Sequence, residues 1–452
     1  MKKMKTTINF NTIMKQFLVA LGLFVGLFVS AQKKWTLQEC VDYALENNIT
    51  VKQGENTLLI NEQDIIAAKG NFLPNVSGNA GHSITIGNAE IFPGQFVDRT
   101  ANSTNIGVSA NQTIFNGFRN TYIKRQALLT LESNELELAR IKDDISLNVV
   151  NAYLNVLFNK ENLETALAQY EFSQKQLDQV KELVEAGSQA QVDIYDAEAT
   201  LATDKQSITT ADNNYNLALL SLSQFLQVPY EGFEVDIIDV DTPSNNLLYN
   251  DVKPILDFAY ENRNEIKVAE KNIENSKLST EISKSGFYPT VTGGYSFGSN
   301  VFFTNLQDTE ASFFNQLNDQ KSHGFRINVS IPIFSRYQNR TAVAQSVIRE
   351  ENALLNLEQE KLNLEATIQR AFADAKAGFN NYLAAKESLE SQQLAFDNSQ
   401  ERYNIGSLNS FDLEQSRIRL INAQNSLTNA KYDFVFRTKV LDFYIGKPIT
   451  VD

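Results

Sequence analysis

Few residues of this 452-residue chain are of the types that perform catalysis or bind metals. Its two histidines, His82 and His323, lie in or beside predicted strands. Cys40 is the only cysteine, so a thiol-rich metal site is not predicted. The sequence contains neither a glycine-rich phosphate-binding loop nor a nucleophile elbow. We therefore predict no catalytic residues, no cofactor, no bound metal and no enzymatic activity.

The most regularly spaced polar groups are carboxylates that follow two Gly-Ser steps. One step lies in ELVEAGSQAQVDIYDAEATL, residues 182–201, and the other in ERYNIGSLNSFDLEQSRIRL, residues 401–420. In each stretch an aspartate, Asp193 or Asp412, lies six residues past the glycine. Glycine permits the left-handed conformation that ends a helix, and a carboxylate stabilises the first turn of the next helix by about 0.3–1 kcal/mol. Each step therefore predicts a turn between two helices.

The two turns belong to a duplicated chain. Adding 219 to a position maps the first copy onto the second without a gap from about Val108 to Pro229, and an offset of 215 applies upstream. The second copy therefore has four additional residues, which we expect in an exposed loop between Pro289 and Ile327. The predicted organisation is a signal peptide at 1–31, a first structural repeat at 32–229, a linker at 230–251 and a second structural repeat at 252–452.

The N-terminus has the features of an export signal. Four lysines accompany a 15-residue apolar run, Phe17 to Ala31, that closes on small residues. Because a membrane-spanning helix needs about 20 apolar residues, we predict cleavage before Gln32 rather than a retained anchor. The formal charge is −14, and loss of the four lysines makes it −14 − 4 = −18. This charge argues against a nucleic-acid partner.

Two long segments lack helix breakers. All eight prolines fall outside residues 94–228 and 333–447, and residues 118–186 also lack glycine. A single helix over those 69 residues would be about 104 Å long. The usual mean is about 11 to 12 residues, so the prediction is a pair of unusually long helices.

After each Gly-Ser step, apolar residues recur every seven positions. In the first copy the series begins with Ile194, Leu201 and Ile208. Sustained heptads indicate helices packed side by side. Each copy is therefore predicted to form a helical hairpin, with Ser188 or Asn409 as the cap of a returning helix.

Ahead of each long helix, two segments alternate between apolar and polar residues. The apolar positions are Val76, Ala80, Ile84 and Ile86, then Ile106, Val108, Ala110 and Ile114; in the second copy they are Val291, Tyr295 and Phe297, then Phe325, Ile327, Val329, Ile331 and Ile333. Such segments fit either a soluble sheet packed on the helices or transmembrane β-strands of about ten residues. The export signal and the long helices favour the membrane.

Four strands cannot close a barrel on their own. Because open sheet edges are not tolerated in lipid, the remaining strands must come from other copies of the chain. Two protomers would give eight strands and an interior filled by side chains, whereas three would give twelve strands and a pore.

The chain resembles the TolC family of bacterial outer-membrane efflux proteins. The matching features, in order, are WTLQECVDYALENN at 35–48, two F-x-P strand entries, the junctions IFNGFRN and IFSRYQN, and the two G-S-x-x-x-x-D turns. The resemblance implies an α+β membrane protein with a duplicated strand-strand-long helix-helix unit. It further implies a trimeric 12-stranded β-barrel in the outer-membrane lipid that continues into a periplasmic α-helical barrel, with residues 230–251 as an equatorial linker.

The same resemblance implies a function and partners. The protein would be the exit duct of a tripartite efflux pump or a type I secretion system, exporting small molecules or polypeptides. It would dock onto a periplasmic adaptor protein and an inner-membrane transporter. The alternative from another class is a periplasmic coiled-coil adaptor or scaffold, which would share the hairpins but would not need four amphipathic strands.

The resemblance also places the turns at a periplasmic aperture. In the family, acidic side chains of the second-copy turn narrow the aperture; Asp412 matches the first of these positions, and Gln415 occupies the second. Tyr403 matches a tyrosine that helps to latch the tip, although the usual arginine partner would fall at Leu408. A capping role at a helix N-terminus is the alternative for Asp412. The predicted site comprises Gly187, Ser188, Asp193, Asp196, Tyr403, Gly406, Ser407, Asp412 and Gln415.

Overall fold

The computed structural model describes residues 34–237, 249–307 and 311–447. The predicted signal peptide at 1–31 lies outside the described residues, as does much of the predicted linker. The chain divides into two compact units, and each draws on both halves of the sequence. Of the described residues, those up to Lys52, those within Lys142–Ala259 and those from Ala366 onward form the helical unit, whereas those within Gln53–Ile141 and Tyr260–Glu365 form the sheet unit.

Helices account for most of the described chain. In chain order they are α1 (Leu37–Asn47), α2 (Ile49–Gly70), α3 (Arg119–Glu185), α4 (Gln191–Leu226), α5 (Lys253–Asn262), α6 (Asn264–Lys284), α7 (Phe313–Asp319), α8 (Gln338–Asn404) and α9 (Ser410–Tyr444). The strands are β1 (Lys34–Trp35), β2 (Asn75–Phe92), β3 (Gln95–Asn116), β4 (Glu234–Val235), β5 (Thr290–Thr304) and β6 (Ser322–Ser330). In the part of the chain that the structure describes, none of these helices is both long and apolar enough to cross a membrane.

The two predicted long helices are present and equal in length. α3 and α8 have 67 residues each, which corresponds to a contour length of about 100 Å at 1.5 Å per residue. The returning helices α4 and α9 have 36 and 35 residues. The predicted heptad series continues from Ile208 to Leu222, and the equivalent series of the second copy runs from Leu413 to Leu441. Leu222, Leu413 and Leu441 are each at most 2% exposed, so the seam packs tightly at these positions.

In the helical unit, the N-terminal strand is fixed by a buried aromatic group. β1 pairs in parallel with β4. The ring centroids of Trp35 and Phe233 lie 6.0 Å apart, and the Tyr153 hydroxyl donates to the Asp236 carbonyl at 2.5 Å. Tyr153 is fully buried, and this burial raises the pKa of its hydroxyl.

In the sheet unit, four strands form one antiparallel sheet in the order β2-β3-β5-β6. β2 and β3 have 18 and 22 residues, longer than the predicted strands, because they continue to a tight turn at Gly94. The Gly94 N–H donates to the Glu90 carboxylate at 2.7 Å there. Ile331 and Ile333 were predicted in the last strand, but β6 ends at Ser330. Pro332, between them, has no N–H for a ladder bond.

The two faces of the sheet differ in polarity, as the alternation predicts. The apolar face carries Val76, Ala80, Ile84, Ile86, Ile106, Val108, Tyr295, Phe297, Phe325, Ile327 and Val329, which pairing places on one side. Apart from the half-buried Phe297, its side chains are exposed, with Ile86 at 79% and Phe325 at 84%. Both histidines lie on this face, where His82 Nδ1 is 2.8 Å from Thr104 Oγ1 and His323 Nδ1 is 2.9 Å from the Tyr295 hydroxyl.

The opposite, polar face is lined by small and amide side chains. Its paired positions include Ser77, Asn79, Ser83, Ser103, Asn105, Ser109, Asn111, Ser296, Asn300, Arg326 and Asn328. Several asparagines lie over a cross-strand glycine. A Cβ on Gly81 would come within 2.7 Å of Asn105 Oδ1, and one on Gly294 within 3.0 Å of Asn111 Oδ1. The glycines therefore leave room for the amides.

The loop predicted to hold the additional residues of the second copy contains a helix. β6 begins opposite Gly298, so the last residues of β5 extend beyond it, and α7 packs against them. The Phe302 N–H donates to the side-chain oxygen of Gln316 at 3.0 Å, and Ser299 Oγ donates to the Leu317 carbonyl at 2.7 Å. The expected exposed loop is thus partly a cover for the β5 edge, and Gln316 is buried.

Candidate functional site at the two helical turns

The Gly-Ser steps form the two turns of the helical unit. Gly187 has φ +73° and Gly406 has φ +74°, so the predicted left-handed conformation is confirmed. At the first turn, Gly187 N–H donates to the Val184 carbonyl at 2.9 Å and Ser188 N–H to the Leu183 carbonyl at 2.8 Å. These two bonds define a Schellman motif, which satisfies carbonyl groups at a helix end.

The second turn repeats this geometry. Gly406 N–H donates to the Tyr403 carbonyl at 2.9 Å, and Ser407 N–H donates to the Arg402 carbonyl at 2.8 Å. Neither glycine has an atom within 4 Å of the position that a Cβ would occupy. Glycine is therefore required at both turns by the backbone conformation and not by crowding.

The helix that follows each turn is capped differently. Asn409 caps α9 as predicted, because its Oδ1 accepts the Asp412 N–H at 2.8 Å. Ser188 does not cap α4, which corrects the prediction. α4 begins at Gln191, and its N-cap position is Ala190, so Ser188 lies two residues too far upstream. The Ser188 N–H instead bonds to the Leu183 carbonyl at the end of α3.

The predicted acidic residues lie in the first turns of α4 and α9. Asp193 accepts the Ala190 N–H at 3.2 Å, and Asp412 accepts from Asn409 Nδ2 at 3.0 Å. Both carboxylates therefore stabilise a helix start locally. Asp412, Asp196 and Gln415 are exposed, whereas Asp193 is half-buried.

The first-copy carboxylates also lie beside the second-copy turn. Asp193 and Asp196 line a cavity of about 240 Å³ together with Ser410, Phe411 and Glu414. The structure thus brings the acidic group of one hairpin next to the start of the returning helix of the other. An aperture ring would require further protomers, so that role stays a prediction.

Tyr403 connects the two turns through a partner that the sequence did not indicate. Its ring is 7% exposed and packs with Phe396, Leu413 and Leu408. Its hydroxyl accepts a hydrogen bond from Gln189 Nε2 at 2.9 Å. Gln189 and Leu408 occupy equivalent positions in the two copies, since 189 + 219 = 408. The first copy therefore supplies the amide that bonds to the Tyr403 hydroxyl. The equivalent residue of the second copy, Leu408, makes only an apolar contact.

A buried ionic cluster beyond the turns was not predicted. Arg417 Nη1 donates to Asp204 Oδ2 at 3.0 Å and to Ser173 Oγ at 3.1 Å, and the Ser173 hydroxyl donates to the same carboxylate. Arg417 Nε also donates to Glu414 at 2.8 Å. Burial alone lowers the pKa of Arg417, but Glu414 and Asp204 together raise it above its ordinary value. The guanidinium is therefore a permanent charge that holds α3, α4 and α9 together.

The sequence held only a weak signal for this cluster. Arg417 follows the seam residue Ser416 and lies between the heptad positions Leu413 and Leu420 of α9, at a position where coiled coils commonly carry a charged residue. Its repeat equivalent is Glu198, and that of Asp204 is Ala423. The ion pair therefore has no equivalent in the other copy. A comparison of the two copies shows that Arg417 and Asp204 differ from their counterparts, but it does not show that they contact each other.

Two hairpins with equal long helices, and a four-stranded sheet with one exposed apolar face, define an α+β protein of the outer-membrane channel class. The sequence profile described as outer membrane efflux protein matches residues 40–226 and 255–447. The chain therefore belongs to the outer membrane efflux protein family. This is a family of transport proteins rather than enzymes, and the outer-membrane location predicted from the sequence is confirmed.

Individual relatives agree with this assignment. The outer membrane protein TolC of Vibrio cholerae is 21% identical, over 84% of this chain and 84% of the relative. The pyoverdine export outer membrane protein OpmQ of Pseudomonas putida is 22% identical, over 74% of this chain and 67% of the relative. The crystal structure of the outer membrane protein VceC from Vibrio cholerae superposes with a TM-score of 0.72 at 16% identity, covering 90% of this chain and 94% of that one. This last similarity shows a shared fold.

The predicted TolC-like outer-membrane efflux protein is thereby confirmed, in preference to a periplasmic adaptor or scaffold.

Proposed function

We propose that three copies of the chain assemble into one export duct. The observation that carries this proposal is the sheet, because its apolar face is exposed and β2 and β6, within the described residues, have no second neighbour. Such edges need partners in lipid. In an antiparallel sheet of four strands the two edge strands run in opposite directions, so β6 of one copy meets β2 of the next in antiparallel orientation.

The number of copies follows from the need for an open path through the barrel. Two sheets would give eight strands, and a barrel of that size is filled by its own side chains. Three sheets give a 12-stranded barrel with space at the centre. In this assembly the polar face lines the pore, and the hairpins continue the duct as a periplasmic α-helical barrel.

The duct serves as the outer-membrane component of a tripartite efflux pump or a type I secretion system. It works with a periplasmic adaptor protein and an inner-membrane transporter, which supplies the energy and selects the cargo. The export function named for the pyoverdine relative supports this class of role. The turns at Gly187 and Gly406, with Asp193 and Asp412, form the periplasmic mouth. The division into a signal peptide at 1–31, repeats at 32–229 and 252–452, and a linker at 230–251 belongs to the same proposal.

Assembly is tested by the mass of the purified protein in mild detergent. We expect three chains per particle, stable in mild detergent and dissociated by SDS. A particle of one chain that conducts ions in a planar bilayer would overturn the proposal.

Membrane insertion is tested with two neighbouring substitutions on opposite faces of β6. Ile327→Arg places a charge on the apolar face, where it is expected to cost about 2–4 kcal/mol at the bilayer midplane and to abolish recovery from the detergent-extracted outer membrane. Asn328→Arg places the same side chain on the polar face and is the matched control. Equal recovery of both variants, or release of the wild-type protein by osmotic shock, would contradict a lipid-facing sheet.

A further inference from the structure

The charges of the sheet are distributed unequally between its two faces. We propose that the polar face binds anionic solutes through Arg99 and Arg326, so that the sheet end of the duct favours carboxylates and phosphates over cations. This inference rests on the proposed trimeric barrel, in which the polar face lines the pore.

Arg326 lies on the polar face near the helix-proximal end of the sheet. It pairs with Gly294, which pairs with Asn111, which in turn pairs with Asn75. These partners are neutral, and one of them has no side chain. Arg326 is exposed, and no carboxylate of the described residues forms an ion pair with it. Its guanidinium is therefore open to a solute.

Arg99 lies on the same face near the other end. It pairs with Gly87, and its guanidinium carbon is 5.5 Å from the centre of the Phe302 ring. Stacking on that ring holds the group against the wall. Arg99 and Asn111, which shares a row with Arg326, are 12 residues apart in β3 (111 − 99 = 12), about 40 Å along the strand. Each chain thus contributes one cation near each end of the sheet.

Among the residues of the four described strands, the polar face carries no acidic side chain. Its other paired positions in the four described strands are serine, threonine, asparagine, glycine and a few apolar residues. The acidic residues of the paired strands, Glu90 and Asp98, pair with Phe96 and Asn88 on the opposite face. The paired positions of the polar face in the described strands therefore have a formal charge of +2 per chain, whereas the whole sequence has a charge of −14.

The chemistry of these groups determines the class of ligand. A guanidinium presents a planar set of N–H donors that matches the two oxygens of a carboxylate or phosphate. In a pore with low-dielectric walls, charge of one sign attracts counter-ions over several ångströms. Three copies would place six arginines on the lining, among amide groups that also donate hydrogen bonds. The expected ligand is a small or chain-like anion.

The test adds a polyvalent anion to the sheet side of single channels in a planar bilayer, so that it reaches the polar face without first passing the helical turns. Tripolyphosphate is expected to block both the wild-type channel and the Asp412→Asn channel. Spermine at the same concentration is not expected to block the Asp412→Asn channel, in which the proposed cation site at the mouth is removed. Arg326→Gln is expected to raise the half-blocking concentration of tripolyphosphate by about tenfold or more, and Arg326→Lys by less. Arg349→Gln, which removes a positive charge from an exposed position on α8, is the matched control and is expected to change nothing.

The outcomes separate this inference from the proposed function. Failure of the wild-type protein to form trimers or channels would contradict the duct itself. An Asp412→Asn channel that spermine blocks as well as tripolyphosphate does would overturn the anion preference of the sheet. Wild-type block that persists unchanged in an Arg99→Gln/Arg326→Gln channel of normal conductance would overturn the assignment to these arginines.

Discussion

The guanidinium of Arg417 lies 3.0 Å from the carboxylate of Asp204, and the two side chains are only 6% and 7% exposed. This ion pair crosses from α9 to α4, and it joins the returning helices of the two hairpins in one chain. A buried charge that loses its partner is strongly destabilising, whereas a well-packed apolar replacement of both partners is often tolerated. The pair thus fixes how the two hairpins pack against each other.

Replacing one member of this pair should therefore cost more than replacing both. We expect Arg417→Met or Asp204→Leu alone to lower the free energy of unfolding by about 3–5 kcal/mol. The double variant should lose less than either single variant, measured by denaturant unfolding in detergent. Arg419→Met, two positions along α9 at an exposed site, controls for the loss of charge and should be nearly neutral. Strict additivity would show that the two groups act independently.

Alanine at either turn glycine should be destabilising through the backbone alone. Gly187 and Gly406 have φ near +73°, where a Cβ costs about 1–2 kcal/mol. No neighbouring atom would be displaced, so asparagine, which tolerates this region, should restore part of the loss. The readout is amide hydrogen exchange at the turns, together with crosslinking to the adaptor, which should weaken more than membrane insertion does.

Gly70→Ala is the matched control for these variants. A Cβ there also meets no atom within 4 Å, but Gly70 does not have positive φ. It lies at the end of α2, where alanine should be neutral or slightly stabilising. Equal exchange rates in the Gly187→Ala and Gly70→Ala proteins would contradict the backbone argument.

Stability should fall at alkaline pH through Tyr153. Burial raises the pKa of this hydroxyl in the folded protein, whereas an exposed tyrosine has a pKa of about 10. Above pH 10 the unfolded chain binds fewer protons than the folded one, so the free energy of unfolding decreases as pH rises. Below that pH this contribution is fully present.

The Tyr153→Phe variant isolates this effect. It should be less stable than wild type by about 0.5–1.5 kcal/mol near neutral pH, because the 2.5 Å hydrogen bond from the Tyr153 hydroxyl to the Asp236 carbonyl is lost. It should also lose part of the decline in melting temperature above pH 10. Parallel pH profiles of the two proteins would contradict the assignment. Tyr195→Phe, at a position 61% exposed, is the control.

The elements that depend on local signals were predictable from the sequence. The long helices follow from the absence of proline and glycine, and the turn geometry follows from Gly187 and Gly406, because a helix end needs a left-handed residue. The alternation of apolar residues gave both faces of the sheet. Repetition strengthened each inference, since every feature occurs twice.

The features that depend on tertiary contacts were not predictable. No periodic pattern predicts α7, because its seven residues are stabilised by contacts to Ser299 and Phe302 of β5. The Gln189–Tyr403 bond and the Arg417 cluster join residues more than 200 positions apart. Ser188 is not the cap because the N-cap position of α4 is Ala190, two residues further along the chain.

The final prediction concerns the acidic residues of the second turn. Asp412 is exposed, and its carboxylate accepts a hydrogen bond from Asn409 at 3.0 Å. A cap of this kind needs no neighbouring protomer. In the proposed trimer, however, three copies of Asp412 would approach one axis, where like charges repel and a cation can bind. The two roles therefore differ in what a neutral replacement does to ion flow.

Asp412→Asn should change cation selectivity or divalent-cation block of single channels, because it removes three negative charges from the mouth of the trimer. Asp193→Asn is the matched comparison, since it also removes a carboxylate that caps a helix start but lies at the half-buried first-copy turn. Its effect on selectivity and block should be smaller. Both variants should lose about 0.3–1 kcal/mol of helix stability. If conductance, selectivity and block in the Asp412→Asn channel all equal those of wild type while helix stability falls, Asp412 is a helix cap and takes no part in the aperture.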